Sequence, residues 1–263
     1  MPHARVKFAT EHCKELDAKI NQVGVTISIV EKKTQETLGI AGRGCVKQTI
    51  YGFIQAYIKV FYIVDKYADF AELTQNENEG VDYAILYREA DSKVALIAPH
   101  GGGIEPGTID IADALAGSNH NFYAFKGLKK TGNKVLHITS NRYDEPIGLK
   151  TTKNAFIVIS IHGCRGKEEI IFIGGKNQEL KQKIMNALRL AEFRAMISTE
   201  PGLRGCSPDN ICNRCKSGKG VQLEISRGLR EIMFENISLR SLRKKTKVFY
   251  NFVNTINEVL LHI

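Results

Sequence analysis

Two segments that read as strands are apolar on both faces, and nothing else in the chain restricts its fold as strongly. AFIVISI (155–161) is apolar but for Ser160, and KVALIAP (93–99) is apolar from Val94 onward. A strand of this kind needs cover on each side, as the central strands of a sheet between two helical layers have it. VDYAILY (81–87), NFYAFKG (121–127), KVLHITS (134–140), EIIFIGG (169–175) and VQLEIS (221–226) are further strand-like runs. Between them lie helical patterns. TIDIADALAG (108–117) has Thr108 as N-cap and Gly117 as stop. A helix from Gln178 to about Ala195 places Leu180, Ile184, Leu188 and Ala191 on one face, and a basic helix over about 239–262 closes the chain. The alternation predicts an α/β fold, a sheet covered by helices.

A length of 263 residues suits one medium-sized domain or a domain with an appendage. With 43% hydrophobic and 25% charged residues the chain is no disordered polymer, and 23 Gly against 6 Pro exclude a collagen-like repeat. No apolar run approaches the ~18 residues of a membrane span. MPHARVKFATEHC shows no signal-peptide pattern, which predicts a cytoplasmic protein, with lysis as a route of release. Toward the N-terminus, Ile50, Phe53, Ile54, Tyr57, Ile58 and Phe61 form the stripe of an amphipathic helix packed on the core or on another subunit. The polar stretch TQNENEG (74–80) is a candidate boundary. The expected organisation is an N-terminal helical extension of unassigned role, residues 1–66, and a domain over 67–263.

The net charge of +9 favours an anionic partner: nucleic acid, a membrane surface or an acidic polymer. Six cysteines without a secretory signal predict free thiols rather than a disulfide framework. Cys206, Cys212 and Cys215 form a rival metal pattern, but a closed four-ligand site would need Cys164 or a histidine from elsewhere.

His100 ends one two-sided strand and His162 the other, each followed at once by glycine. Sites in open α/β sheets gather at such strand ends. In HGGGIEPGT three glycines let the loop turn back, so that Glu105 can approach His100. Two imidazoles and a carboxylate make a catalytic-zinc ligand set with a position left for water. Each residue also has a structural reading, as a satisfied strand-end histidine or the start of a helix. Glu224 projects from the polar face of VQLEIS and is either the candidate group for moving a proton or a solvent-facing surface glutamate. Arg142, Arg214, Arg227 and Arg230 are candidates for binding substrate carboxylates or an oxyanion, or for surface ion pairs.

The strings APHGGGIEPGT, FYAFKG, LHITS followed by DEP, SIHG, FIGG, NICNR and GVQLEISRGLR, in this order from about Val81 to Arg230, resemble the poly-γ-glutamate hydrolase family. The resemblance implies a zinc-dependent peptidase with a mixed central sheet flanked by helices, like the zinc carboxypeptidases. It implies that His100, Glu105 and His162 bind Zn2+ and that Glu224 is the general base. Arg214, Arg227 and Arg230 fall in family motifs. The stretch NRYDEP, with Arg142, departs from the family pattern, as does the Lys/Gly-rich loop after Cys215. The implied substrate is an anionic polymer, poly-γ-glutamate, which a basic protein attracts at long range. Two other readings stand beside this one. A zinc N-acetylmuramoyl-L-alanine amidase has a similar histidine–glutamate arrangement, but LHITS, NICNR and QLEISRGLR are associated with the poly-γ-glutamate family. A non-enzymatic, nucleic-acid-binding protein would use the basic, aromatic stretch LRSLRKKTKVFYNF (239–252), although no nucleic-acid-binding motif is present.

Overall fold

The computed structural model describes residues 65–263. In chain order it contains α1 (Phe70–Asn76), β1 (Tyr83–Arg88), β2 (Val94–Gly102), α2 (Thr108–Ala116), β3 (Asn121–Gly127), α3 (Pro146–Asn154), β4 (Ile157–Cys164) and β5 (Ile170–Gly175). There follow α4 (Gln178–Leu190), β6 (Arg194–Ile197), β7 (Val221–Ser226), α5 (Arg227–Met233), β8 (Phe234–Glu235), β9 (Lys244–Lys245) and α6 (Lys247–Leu260). Seven strands join in one mixed sheet, ordered β1-β3-β2-β4-β7-β5-β6. β3, β2, β4 and β7 run parallel, and β1, β5 and β6 run against them.

The two-sided apolar strands are central, as their composition requires. Every residue of β2 and β7 is buried, and β4 is buried through His162. Leu96, Ala98, Ile159, Ile161, Leu223 and Ile225 point into a core closed by α2, α4, α5 and α6, through Ile111, Ile184, Leu229 and Phe252. Ala95, Ile97 and Val158 point the other way, against Leu73, Leu136, Ile138 and Ile211. Burying one such Ile or Leu side chain stabilises the fold by about 1.5–3 kcal/mol. No described helix is long and apolar enough to cross a membrane.

The structure departs from the sequence reading in several places. KVLHITS forms a 3-10 turn (Asn133–Leu136) and then irregular chain, not a strand, because its backbone groups have other partners. The Ile138 carbonyl meets His100, and the Thr139 N–H donates to Asp65. α4 stops at Leu190, and Glu192, at φ +67°, turns the chain into the edge strand β6. Thr108 is the first residue of α2, whose N-cap is Gly107. The closing helix begins at Lys247; residues before it form a 3-10 turn and the short pair β8–β9. TQNENEG is not a boundary between units. It completes α1, and Glu77 is buried, accepting hydrogen bonds from Tyr67 and Lys129. The helical stripe at Ile50–Phe61, with Cys13 and Cys45, lies outside the described residues.

Candidate metal centre

Three neighbouring parallel strands carry the candidate residues at their C-terminal ends: His100 on β2, His162 on β4 and Glu224 on β7. A β-bulge aims the first of them. β2 spends one more residue than β3 between the pairs Ala98–Ala124 and Gly101–Lys126. The extra residue reverses the side-chain alternation, so His100 leaves the face of Leu96 and Ala98 for that of Ile97. His162 reaches the same face by simple alternation from Val158 and Ser160. In the β4–β7 register His162 lies directly opposite Glu224.

The two imidazole Nδ1 atoms are 3.1 Å apart. Glu105 Oε1 is 3.4 Å from His100 Nδ1, and Glu105 Oε2 is 3.8 Å from His162 Nδ1. Tetrahedral zinc with bonds near 2.0–2.1 Å has its ligand atoms roughly 3.3 Å apart, so the donor set fits this ion. Both outer ring nitrogens are engaged. His100 Nε2 is 2.8 Å from the Ile138 carbonyl, which can only accept, so the proton sits on Nε2 and the Nδ1 lone pair is left for a cation. His162 Nε2 is 2.7 Å from Ser160 Oγ, which can accept its proton. Glu105 Oε2 accepts the Gly163 N–H at 2.8 Å.

The electrostatics suit a cation. Burial alone would raise Glu105, but His100 and His162 outweigh it and hold the carboxyl at about 2. Burial and the neighbouring His100 push His162 down to about 3, so this imidazole is neutral. Burial would lower His100 as well, yet Glu105 raises it. Burial, followed by the charge of Glu105, pushes Glu224 up to about 8. Glu224 is buried and accepts a hydrogen bond from Gln222 Nε2 at 2.8 Å, and Asn210 Nδ2 in turn donates to Gln222 Oε1.

The four arginines singled out in the sequence have diverse surroundings. Arg142 donates to Asp65. Arg214 donates to the carbonyls of Asp209, Tyr143 and Asn141. Arg227 binds Glu231 and Ser238. Arg230 is buried, and its guanidinium donates to the carbonyls of Ile225, Pro106 and Cys164. Those carbonyls belong to the chain beside Glu224, beside Glu105 and just beyond His162, so Arg230 ties together the three segments that bear the candidate residues. None of these contacts reaches the candidate ligand atoms of His100, Glu105 and His162.

Sequence reading assigned no role to Ser160, Gln222 or His137. The His137 ring centroid lies 4.0 Å from that of His100, and its Nδ1 is 2.6 Å from Asp65 Oδ1. Ser160 and Gln222 share a signal that was available: each stands two residues before a candidate on the same strand face. Cys164, Cys206, Cys212 and Cys215 are free thiols. Among the described residues, His100, Glu105 and His162 are the one group of such side chains close enough to share a metal ion. In the stretch 239–252, Phe249 and Phe252 are buried in the core, while Arg240 and Arg243 bond to the Gly127 carbonyl and to Asp110. These two rings offer no face for bases to stack on.

The sequence profile of the family described as poly-gamma-glutamate hydrolase matches residues 67–255. The chain belongs to this family. It is 38% identical over 201 residues to the protein YndL of Bacillus subtilis, covering 76% of this chain and 79% of YndL. The SPbeta prophage-derived protein YoqZ of the same organism is 37% identical over 198 residues, 74% of this chain and 72% of YoqZ. Among solved structures, a bacteriophage poly-gamma-glutamate hydrolase superposes with a TM-score of 0.72 at 33% identity, covering 76% of this chain and 98% of that one. YndL in an apo, zinc-free form also gives a TM-score of 0.72, at 38% identity, over 75% of this chain and 98% of YndL. The mixed sheet flanked by helices is thus the fold of this hydrolase family.

Proposed function

We propose that this hydrolase is a zinc-dependent peptidase that cleaves the γ-glutamyl amide bonds of poly-γ-glutamate, with His100, Glu105 and His162 as zinc ligands and Glu224 as general base. The observation that carries the reading is the convergence of two Nδ1 atoms and a carboxylate, their outer contacts already made, beside the register partner of His162. Zinc is also the ion whose absence describes the YndL structure. Bound there, zinc would polarise the scissile carbonyl and make water a nucleophile near neutral pH.

The remaining work falls to the chain. Ile138 and Ser160 hold the imidazole rings in the tautomer that presents Nδ1, and the Gly163 N–H holds the Glu105 carboxylate. Glu224 accepts a proton from the attacking water and returns it to the departing amine nitrogen, so that the amide C–N bond breaks to a carboxylate and an amine. Gln222 keeps the Glu224 carboxyl oriented for both transfers. The net charge of +9 draws in the polyanion, an attraction that salt screens.

The test is the size distribution of poly-γ-glutamate after incubation with the protein, with and without chelator, beside His162→Ala. Shortening that needs both metal and His162 supports the reading, and fragment sizes separate internal from terminal cutting. An unchanged polymer with zinc confirmed in the protein overturns the substrate. Digestion of cell wall in the same preparation would replace it with the muramoyl amide.

A further inference from the structure

NICNR begins at Asn210, and this first residue reaches Glu224 through a single intermediary. Asn210 caps the 3-10 turn Ile211–Asn213, where its Oδ1 accepts the Cys212 N–H at 3.1 Å. Its Nδ2 donates to Gln222 Oε1 at 2.9 Å, and Gln222 Nε2 donates to Glu224 Oε1 at 2.8 Å. All three side chains are buried.

The two ends of a side-chain amide are nearly equal in size, so its direction has to come from its hydrogen-bond partners. Here it comes from the backbone. The Cys212 N–H can only donate, so the Asn210 atom facing it is the oxygen, and the NH2 is left for Gln222. That NH2 can only donate in turn. Gln222 therefore gives its oxygen to Asn210 and its own NH2 to Glu224. An NH2 does not accept, so the Glu224 oxygen that meets it carries no proton.

The parts of this relay are held in place. The Ile211 N–H donates to the Ser140 carbonyl. Asn213 Oδ1 accepts from the N–H groups of Lys176 and Gly220, and its Nδ2 donates to the carbonyls of Gly205 and Ser207. Gly205, at φ +55°, closes over the Gln222 amide, where a Cβ would stand 2.8 Å from Oε1. On that side the amide has room to turn over in place but not to swing away.

We propose that Asn210 is a positioning residue for proton transfer. By fixing the direction of the Gln222 amide it keeps Glu224 Oε1 an acceptor only, and Oε2 is the oxygen that carries the proton. One proton leaves the attacking water for Oε2 as the water oxygen bonds to the scissile carbon. The same proton reaches the departing nitrogen as the C–N bond breaks. This role rests on the proposed function for Glu224, while the order of donors follows from the contacts alone.

The test compares wild type with Asn210→Ser, Asn210→Asp and Glu224→Gln, all zinc-loaded, for kcat and KM on poly-γ-glutamate, zinc content and Tm. Ser and Asp both cap a helical turn well, so a role in capping alone would leave both variants close to wild type. Asn210→Ser keeps an oxygen for Cys212 and loses the NH2 that holds Gln222. Its kcat should fall about tenfold, the worth of one buried hydrogen bond. Asn210→Asp turns an acceptor toward Gln222 and reverses the amide, so its kcat should fall further, about 10²-fold, toward that of Glu224→Gln. KM and zinc content should stay within about twofold of wild type in both.

A readout independent of turnover is the side-chain amide signal of Gln222 in 15N-labelled protein, identified by its loss in Gln222→Met. In wild type its protons should show nuclear Overhauser contacts to the Glu224 γ-methylene. In Asn210→Asp these should give way to contacts with the β-methylene of residue 210. Wild-type kcat in both Asn210 variants beside an inactive Glu224→Gln overturns the proposal. So does an amide signal unmoved by Asn210→Asp, or a loss of kcat that comes with lost zinc or a raised KM. Full hydrolysis by Glu224→Gln overturns the proposed function instead, and the amide contacts then still decide the order of donors.

Discussion

His162 and Glu224 are register partners across the parallel strands β4 and β7, and the residue two positions before each one holds its side chain. Ser160 meets His162 Nε2 and Gln222 meets Glu224 Oε1, and these two supports are themselves paired in the same register. One pair of strands therefore carries the proposed metal ligand, the proposed proton carrier and a support for each. Metal binding and proton transfer should separate by substitution. Glu224→Gln keeps size and the capacity to meet Gln222 but cannot take a proton, so hydrolysis should fall by about 10²–10⁴-fold with zinc content unchanged. His162→Ala should lose the metal. Metal content by atomic absorption beside single-turnover rates distinguishes the two; zinc lost from Glu224→Gln would place that carboxylate among the ligands.

Ser160→Ala removes the partner of His162 Nε2 at 2.7 Å and leaves every proposed ligand in place. Loss of such an outer contact lowers metal affinity by about 10–100-fold. Competition against a chromophoric chelator reads this directly. Affinity equal to that of wild type would mean that strand packing alone orients the ring.

Arg230 binds three backbone carbonyls from three different segments while almost wholly buried. A buried acceptor left without a partner costs about 1–3 kcal/mol. Arg230→Gln should therefore destabilise the protein by roughly 3 kcal/mol, or about 6–12 °C in Tm for a domain of this size. Arg227→Gln breaks a partly exposed pair with Glu231 and should cost less than about 1 kcal/mol. Thermal unfolding of the two variants side by side decides; similar small shifts would show that the carbonyls find water when the guanidinium is gone.

What the sequence made legible follows from how local each signal is. Two-sided apolar composition marked β2 and β4 as central, since a strand needs no distant partner to show that both faces are covered. The approach of Glu105 to His100 was readable because the glycines between them set it within a single loop. The lateral position of Glu224 was not, because His162 and Glu224 lie on strands whose parallel pairing no hairpin fixes. KVLHITS alternates like a strand, yet Ile138 and Thr139 turn their backbone groups to His100 and Asp65, a contact across 74 residues in the latter case. RAMI continues the apolar rhythm of α4, and only the left-handed turn at Glu192 separates β6 from it. The bulge that re-aims His100 shows itself only when β2 and β3 are set side by side.

Acid should first loosen the segment that closes α1 against the sheet. Glu77 is buried, 2.5 Å from Tyr67 Oη and 2.5 Å from Lys129 Nζ. Burial would raise its carboxyl, but Lys129 and Tyr67 prevail and hold it below the ordinary 4.5. The unfolded chain then takes up the proton before the folded one does. The stabilisation is complete above pH 4.5, shrinks as pH falls through that value and is gone once the folded carboxyl is protonated. Asp65, held low against burial by His137, the Thr139 N–H and Arg142, repeats the pattern from 3.8 downward. Glu77→Gln should thus be less stable than wild type by about 1–3 kcal/mol at pH 7, the range for a hydrogen-bonded charge. The gap should narrow steadily below pH 4.5. Denaturant unfolding of both proteins between neutral pH and pH 3 follows it, with Lys129→Met expected to flatten the same limb. A gap that stays constant through the acid range would mean that Glu77 acts by packing rather than by its charge.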